Sequence, residues 1–114
     1  MGTIAIRVLA AGALSGSDAR HPIAVPQVAP IASGPDYATD VRRAARLRAL
    51  VDAGHADSLV EAAIRFALSR EAISTVLVGY SSLEQIELAA ASAAKGPLSA
   101  AALAHLEELW RELK

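Results

Sequence analysis

The sequence predicts an α/β fold built on parallel strands, and three observations carry that expectation. Two short apolar runs, IAIRVL at residues 4–9 and ISTVLV at residues 73–78, have strand character. Stretches of helical periodicity separate and follow them. Each run ends in a loop rich in glycine and other small residues. Strand, helix, strand in that order implies parallel pairing through a right-handed crossover.

Residues 4–9 place Ile4, Ile6 and Val8 at period two, and Ala5 and Leu9 suit a strand that is apolar on both faces. Gly12 and Gly16 punctuate the loop that follows. Residues 17–36 form a long connection whose Pro22, Pro26, Pro30 and Pro35 rule out a regular helix. Residues 36–53 read as one helix with Val41, Ala44, Ala45, Leu47, Leu50 and Val51 on its apolar side, ended by Gly54. Ser58 and Glu61 form a capping box that opens a second helix, running to about Ser69, with Leu59, Ala62, Ala63, Phe66 and Ala67 at helical spacing. Residues 73–78 are β-branched and closed by Gly79, as a buried strand requires. Ser81 and Ser82, with Glu84 and Gln85 three residues on, cap a helix over residues 83–94. Gly96 and Pro97 break it. Ser99 caps a final amphipathic helix carrying Leu103, Leu106, Leu109, Trp110 and Leu113. Helices are numerous enough to cover one face of a parallel pair, with little left for the other.

Composition narrows the function classes. The chain has 114 residues, 54% hydrophobic and 20% charged, so it belongs among globular sequences. With only 4% aromatics it favours helices and thin strands. A formal net charge of -1 offers no electrostatic footprint for nucleic acid or an anionic membrane. Arg42, Arg43, Arg46 and Arg48, next to Asp40 and Asp52, read as a solvated helix face. Cysteine is absent, which excludes disulfides, thiol catalysis and cysteine-ligated metals. No apolar run approaches the roughly 18 residues of a membrane helix, and Arg7 interrupts the N-terminal apolar stretch, against a signal peptide. A cytoplasmic location is the expectation.

Two loops carry the chemistry. After the first strand, residues 10–16 (AAGALSG) present backbone N–H groups without bulky side chains, so a diphosphate could approach closely. A plain tight turn explains the same residues, and the pattern is not GxGxxG. After the second strand, residues 79–85 (GYSSLEQ) end a strand in glycine and begin a helix with two hydroxyls. A helix N-terminus can hold a phosphate, and Ser81 or Ser82 can equally well just cap its own helix. Ligands bind at the C-terminal ends of parallel strands, and in barrels the phosphate site often follows strands seven and eight.

Residues 59–87 (LVEAAIRFALSREAISTVLVGYSSLEQIE) resemble the last helix–strand–helix passage of the aldo-keto reductases. Residues 7–16 (RVLAAGALSG) resemble their preceding strand and diphosphate loop, and Gly96 to Ser99 match the stretch before the last helix. The resemblance implies the seventh and eighth βα units of a TIM (β/α)8 barrel, as a partial NADP-dependent oxidoreductase domain spanning residues 1–114. It implies NADP(H) as cofactor and an aldehyde or ketone as the small-molecule substrate of the intact enzyme. Gly12, Ala13 and Leu14 are carried over as diphosphate contacts, and Gly79, Ser81 and Gln85 as contacts to the 2′-phosphate and adenine.

The chain departs from the family pattern in several places. Val8, Leu9 and Ala10 stand where the family often has Ser-Pro-Leu. Ser81 stands where it often has Arg or Lys, and Leu88 and Ala89 where it often has Glu-Asn; both changes weaken recognition of the 2′-phosphate and adenine. The family's catalytic aspartate, tyrosine, lysine and histidine lie on earlier strands and loops. Lys95 and Lys114 are far from any strand end, Tyr37 sits in a loop, and Tyr80 has no acid, lysine or histidine placed to tune it. His21, His55 and His105, spaced by 34 and 50 residues, form no metal motif. A complete barrel needs about 250 residues, so the expectation is a truncated, non-catalytic portion, with Met1 as an internal start. Exposed strand edges predict self-association. The rival readings are a standalone non-catalytic α/β module that binds a nucleotide or a protein partner, and a half-barrel completed by another chain.

Overall fold

A computed structural model describes residues 1–15, 22–23 and 35–113. Among them two strands pair in parallel: β1 (Ile4–Ala5) lies beside β2 (Thr75–Val76), with Ile4 opposite Thr75 and Ala5 opposite Val76. The helices are α1 (Tyr37–Arg46), α2 (Ala49–Asp52), α3 (Leu59–Leu68), α4 (Leu83–Ala94) and α5 (Ala100–Leu113). A 3₁₀ segment, Ala10–Ser15, follows β1. Parallel pairing across the intervening helices agrees with the sequence expectation. No helix among the described residues is long and apolar enough to cross a membrane.

Helix starts follow side-chain capping. Asp36 Oδ1 accepts from the Thr39 N–H (2.7 Å) at α1, Ser58 Oγ from the Glu61 N–H (3.1 Å) at α3, and Ser99 Oγ from the Ala102 N–H (3.1 Å) at α5. Each satisfies an N–H that has no partner within its own helix. At the other ends, Gly54 (φ 82°) and Gly96 (φ 75°) take the left-handed conformation that closes a helix without a Cβ penalty.

Three expectations need correction. The helix over residues 36–53 is broken. At Leu47 and Arg48 the N–H groups bond three residues back, to the Ala44 and Ala45 carbonyls (2.9 and 3.2 Å). The tighter winding turns Leu47 and Leu50 toward the same side, where Leu50 is buried and Leu47 packs beside it. Strand β1 is also shorter than residues 4–9. Arg7 adopts φ 56°, which takes the backbone out of the extended region two residues after the last pair. Residues 73–78 likewise pair only at Thr75–Val76. Nor are the strands buried on both faces: Ile4 in β1 is 61% exposed, and Ile6 and Leu77, directly after the strands, are 60% and 64% exposed. A buried parallel strand needs neighbours and a covering layer on each side, and among the described residues each strand has one partner. The long connection of residues 17–36 lies almost entirely outside the described residues.

The core sits among the helices and away from the strands. Leu50, Ala56, Ala62, Leu106 and Leu109 form its buried cluster, with Leu47, Ala49 and Phe66 packed against it. Phe66 and Trp110 meet edge to face, ring centres 5.5 Å apart. Helix α4 lies along α3, and the Ala10–Ser15 segment packs on α1 and α3. These contacts fix where the two loops leave the strands.

Candidate cofactor site

The first loop is built from an unusual run of backbone conformations. Ala10 (φ 51°), Ala11 (φ 56°) and Gly12 (φ 102°) are all left-handed. Only glycine adopts this region without steric cost. The run bends the chain so tightly that the Gly12 and Leu14 N–H groups converge on one atom, the Leu9 carbonyl oxygen, at 3.0 and 3.1 Å. Converging N–H groups of this kind make an oxygen-binding concavity. Here the oxygen is the chain's own. Ala13 is buried, facing the helices, so its methyl group anchors the loop.

The second loop is open. Gly79 is exposed, and a Cβ built there would meet no atom within 4 Å. Ser82 is the N-cap of α4, its Oγ accepting from the Gln85 N–H (3.3 Å). Gln85 reaches back in turn, its Oε1 accepting from the Ser81 N–H (2.6 Å). Of the doubled capping signal, Ser82 does the capping and Ser81 is the residue reached by Gln85. Beside this turn lies a shallow depression of about 440 Å³ lined by Ile23, Tyr80, Ser81, Ser82, Leu83 and Ile86. Its lining is mainly apolar, with no basic residue among the described residues.

Parallel pairing of β1 and β2 sends both loops off the same end of the sheet. Ser81 lines the depression, whereas Gly79, Gln85, Gly12, Ala13 and Leu14 do not. The 3₁₀ segment turns toward α1 and α3, and the α4 turn toward solvent and Ile23.

Sequence reasoning missed a polar cluster that joins α3 to the C-terminal end of α4. Glu61 is only 3% exposed. Its Oε1 accepts from Arg65 Nη1 (2.9 Å), and its Oε2 from Lys95 Nζ (2.9 Å) and the Asp57 N–H (3.2 Å). Arg65 also donates to the carbonyls of Gly96 and Pro97 (3.0 Å each), and Lys95 to Asp57 Oδ2 (2.7 Å). Burial pushes the Glu61 carboxyl up. The hydrogen bonds from Lys95, Arg65 and Asp57 outweigh that and hold it below its ordinary value. The hydrogen bond from Lys95 also lowers Asp57, and the carboxylates raise Lys95 in return. The signal available in the sequence was the Glu61–Arg65 spacing of four on one helix face. Lys95 is therefore a tie between α4 and α3. Tyr80 is exposed. No group of three metal-ligating side chains occurs among the described residues.

Comparison with known families decides the assignment. The family model described as "Aldo/keto reductase family" matches residues 1–111, nearly the whole chain. The chain belongs to the aldo/keto reductase family. An aldo/keto reductase is a TIM barrel, and the described residues form a small α-rich unit with one short parallel sheet. Family membership supports an oxidoreductase-type function, and aldo/keto reductases generally bind NAD(P)H. No curated protein and no solved structure matches the chain.

Proposed function

We propose that this chain is the cofactor-holding part of an aldo/keto reductase barrel, its seventh and eighth βα units, and that it lacks the catalytic set. The intact cytoplasmic enzyme would use NADPH to reduce an aldehyde or ketone. The observation that carries this reading is the parallel pairing of β1 with β2, which leaves both small-residue loops at the C-terminal end of one sheet. The diphosphate would lie against residues 12–14. There the Gly12 and Leu14 N–H groups already converge on one oxygen, and a phosphate oxygen would replace the Leu9 carbonyl as their acceptor. The adenosine end would lie over the start of α4, with the apolar lining of Tyr80, Leu83 and Ile86 under the adenine. Carbonyl reduction needs a proton donor beside the developing alkoxide. Tyr80 is exposed and Lys95 is engaged by two carboxylates, so neither supplies one.

A 2′-phosphate prefers a cation, and this turn offers Ser81, Gln85 and the helix dipole. The dipole contributes about 0.3–1 kcal/mol at an exposed end, which is less than a factor of ten in affinity. Discrimination between NADPH and NADH should therefore be modest unless another part of the barrel adds a base. The test places these loops in a barrel completed with the upstream half of a related sequence and follows cofactor fluorescence. Ser81→Arg should tighten NADPH binding several-fold and leave NADH nearly unchanged. An unchanged NADPH constant would mean that Ser81 does not face the 2′-phosphate.

One observation favours the module reading as a second possibility. The buried cluster of Leu50, Ala56, Ala62, Leu106 and Leu109 contains no strand residue, so the helical part has a core of its own.

A further inference from the structure

The fold brings together two histidines that lie 50 residues apart in the chain. His55 follows Gly54 in the turn after α2, and His105 sits in the middle of α5. Their ring centres are 5.5 Å apart and their planes inclined by 65°. Both side chains are half-buried. The geometry points to a two-histidine binding site for a divalent transition-metal ion of the zinc, copper or nickel class. This site is separate from the cofactor loops and does not depend on how they are read.

Distance and inclination both fit. A zinc–nitrogen bond of about 2.0–2.1 Å places each imidazole centre roughly 3.2 Å from the ion, so tetrahedral coordination holds two ring centres roughly 5 Å apart. The lone pairs of face-to-face rings run in parallel planes and never meet. Inclined planes intersect, so one nitrogen from each ring can aim at a common point. Imidazole is the ligand that suits zinc, copper and nickel.

The backbone under both rings is held. The His55 N–H donates to the Leu50 carbonyl (3.0 Å), and its carbonyl accepts from Arg65 Nη1 (3.4 Å). His105 is fixed within α5. The nearby Arg65 cation is already paired with Glu61 at 2.9 Å, which limits its repulsion of a bound ion. Among the described residues no third protein ligand completes the set, so water would fill the remaining positions. An open site of this kind holds its ion in exchange with solution. Because the ion would link the α2–α3 turn to α5, binding should also raise thermal stability.

The test is titration of the 114-residue chain, free of any histidine tag, with zinc chloride by calorimetry near neutral pH. The imidazole Cε1–H resonances and the melting temperature are followed in parallel. One equivalent should bind, shift the His55 and His105 resonances and raise the melting temperature. His55→Gln and His105→Gln should each weaken binding roughly tenfold or more, with unchanged helical circular dichroism showing that the fold survives. His21→Gln should leave binding intact. Absence of binding, binding that persists when both His55 and His105 are replaced, or binding lost in His21→Gln would each overturn the site.

Discussion

Glu61 is the residue on which the arrangement of α3, α4 and the start of α5 depends. Its carboxylate takes hydrogen bonds from Arg65, Lys95 and the Asp57 N–H, while Arg65 holds the carbonyls that follow α4. Removing Glu61 leaves Arg65 its carbonyl partners and the half-exposed Lys95 its bond to Asp57, so the cost is that of lost charge-assisted hydrogen bonds, about 1.5 kcal/mol. Glu61→Ala should lower unfolding stability by about that amount, measured by urea denaturation, whereas Glu61→Gln keeps the shape and should lose less. The same residue sets a pH window. Its carboxyl lies below its ordinary value of 4.5 in the folded state, so its contribution is complete above that pH and is lost as pH falls through the folded value. Lys95 lies above its ordinary 10.5, so its contribution is complete below that pH and disappears as pH rises through the folded value. Urea midpoints measured from pH 7 down to 3 should fall steeply below about 4.5, and Glu61→Gln should flatten that fall.

At the scale of elements, local chemistry and tertiary chemistry part ways. Helix α4 runs over the residues the sequence predicts, 83–94, because both its ends are written in local signals: a Ser82–Gln85 cap and Gly96 with Pro97. Caps of this kind act within one turn and need no knowledge of the rest of the chain. Ser82→Ala should therefore cost about 1 kcal/mol and fray the first turn of α4. Amide exchange at Gln85 and Ile86 reports this, and exchange in α3 should stay as it was. The break at Leu47 and Arg48 has no such mark, since neither glycine nor proline stands there. It accompanies the burial of Leu50 against α3 and α5, a contact no local window contains. The strands fail for the same reason in reverse. Their apolar pattern is legible, but pairing length depends on neighbours, and among the described residues each has one. At the candidate site the small-residue loops were legible as motifs. That the Gly12 and Leu14 N–H groups would close on Leu9, and that Gln85 would serve Ser81, follows from backbone geometry that composition does not encode.

The whole molecule is two-sided. Its helices share a buried cluster, while the sheet and the residues directly after it present Ile4, Ile6 and Leu77 to solvent, and among the described residues the outer edges are unpaired. Tyr80 and Leu83 extend the exposed apolar surface past the end of β2. Apolar patches next to free strand edges drive association. The chain should form oligomers at micromolar concentration in size-exclusion chromatography with light scattering. Lysine at Ile4 and Leu77 together should shift it toward monomer. A sharp monomer peak for the unmodified chain would instead favour the standalone-module reading.

The pairing of β1 with β2 also has a consequence in time. Thr3 and Ser74, which join the strands through a 2.8 Å backbone bond, are 71 residues apart. Closing a loop of that size costs about 4 kcal/mol in chain entropy. The few ladder hydrogen bonds return about 1 kcal/mol each. The balance is too even for the strands to find each other in an open chain. They meet only after α1, α2 and α3 have collapsed and brought residue 74 near the N-terminus. The sheet, which in sequence begins the molecule, is then the last part to form and the first to open. Hydrogen exchange should show it: the amides of Ser74 and Leu77, bonded to the Thr3 and Ala5 carbonyls, should exchange well before those of Ile64 and Leu106 in the helical core.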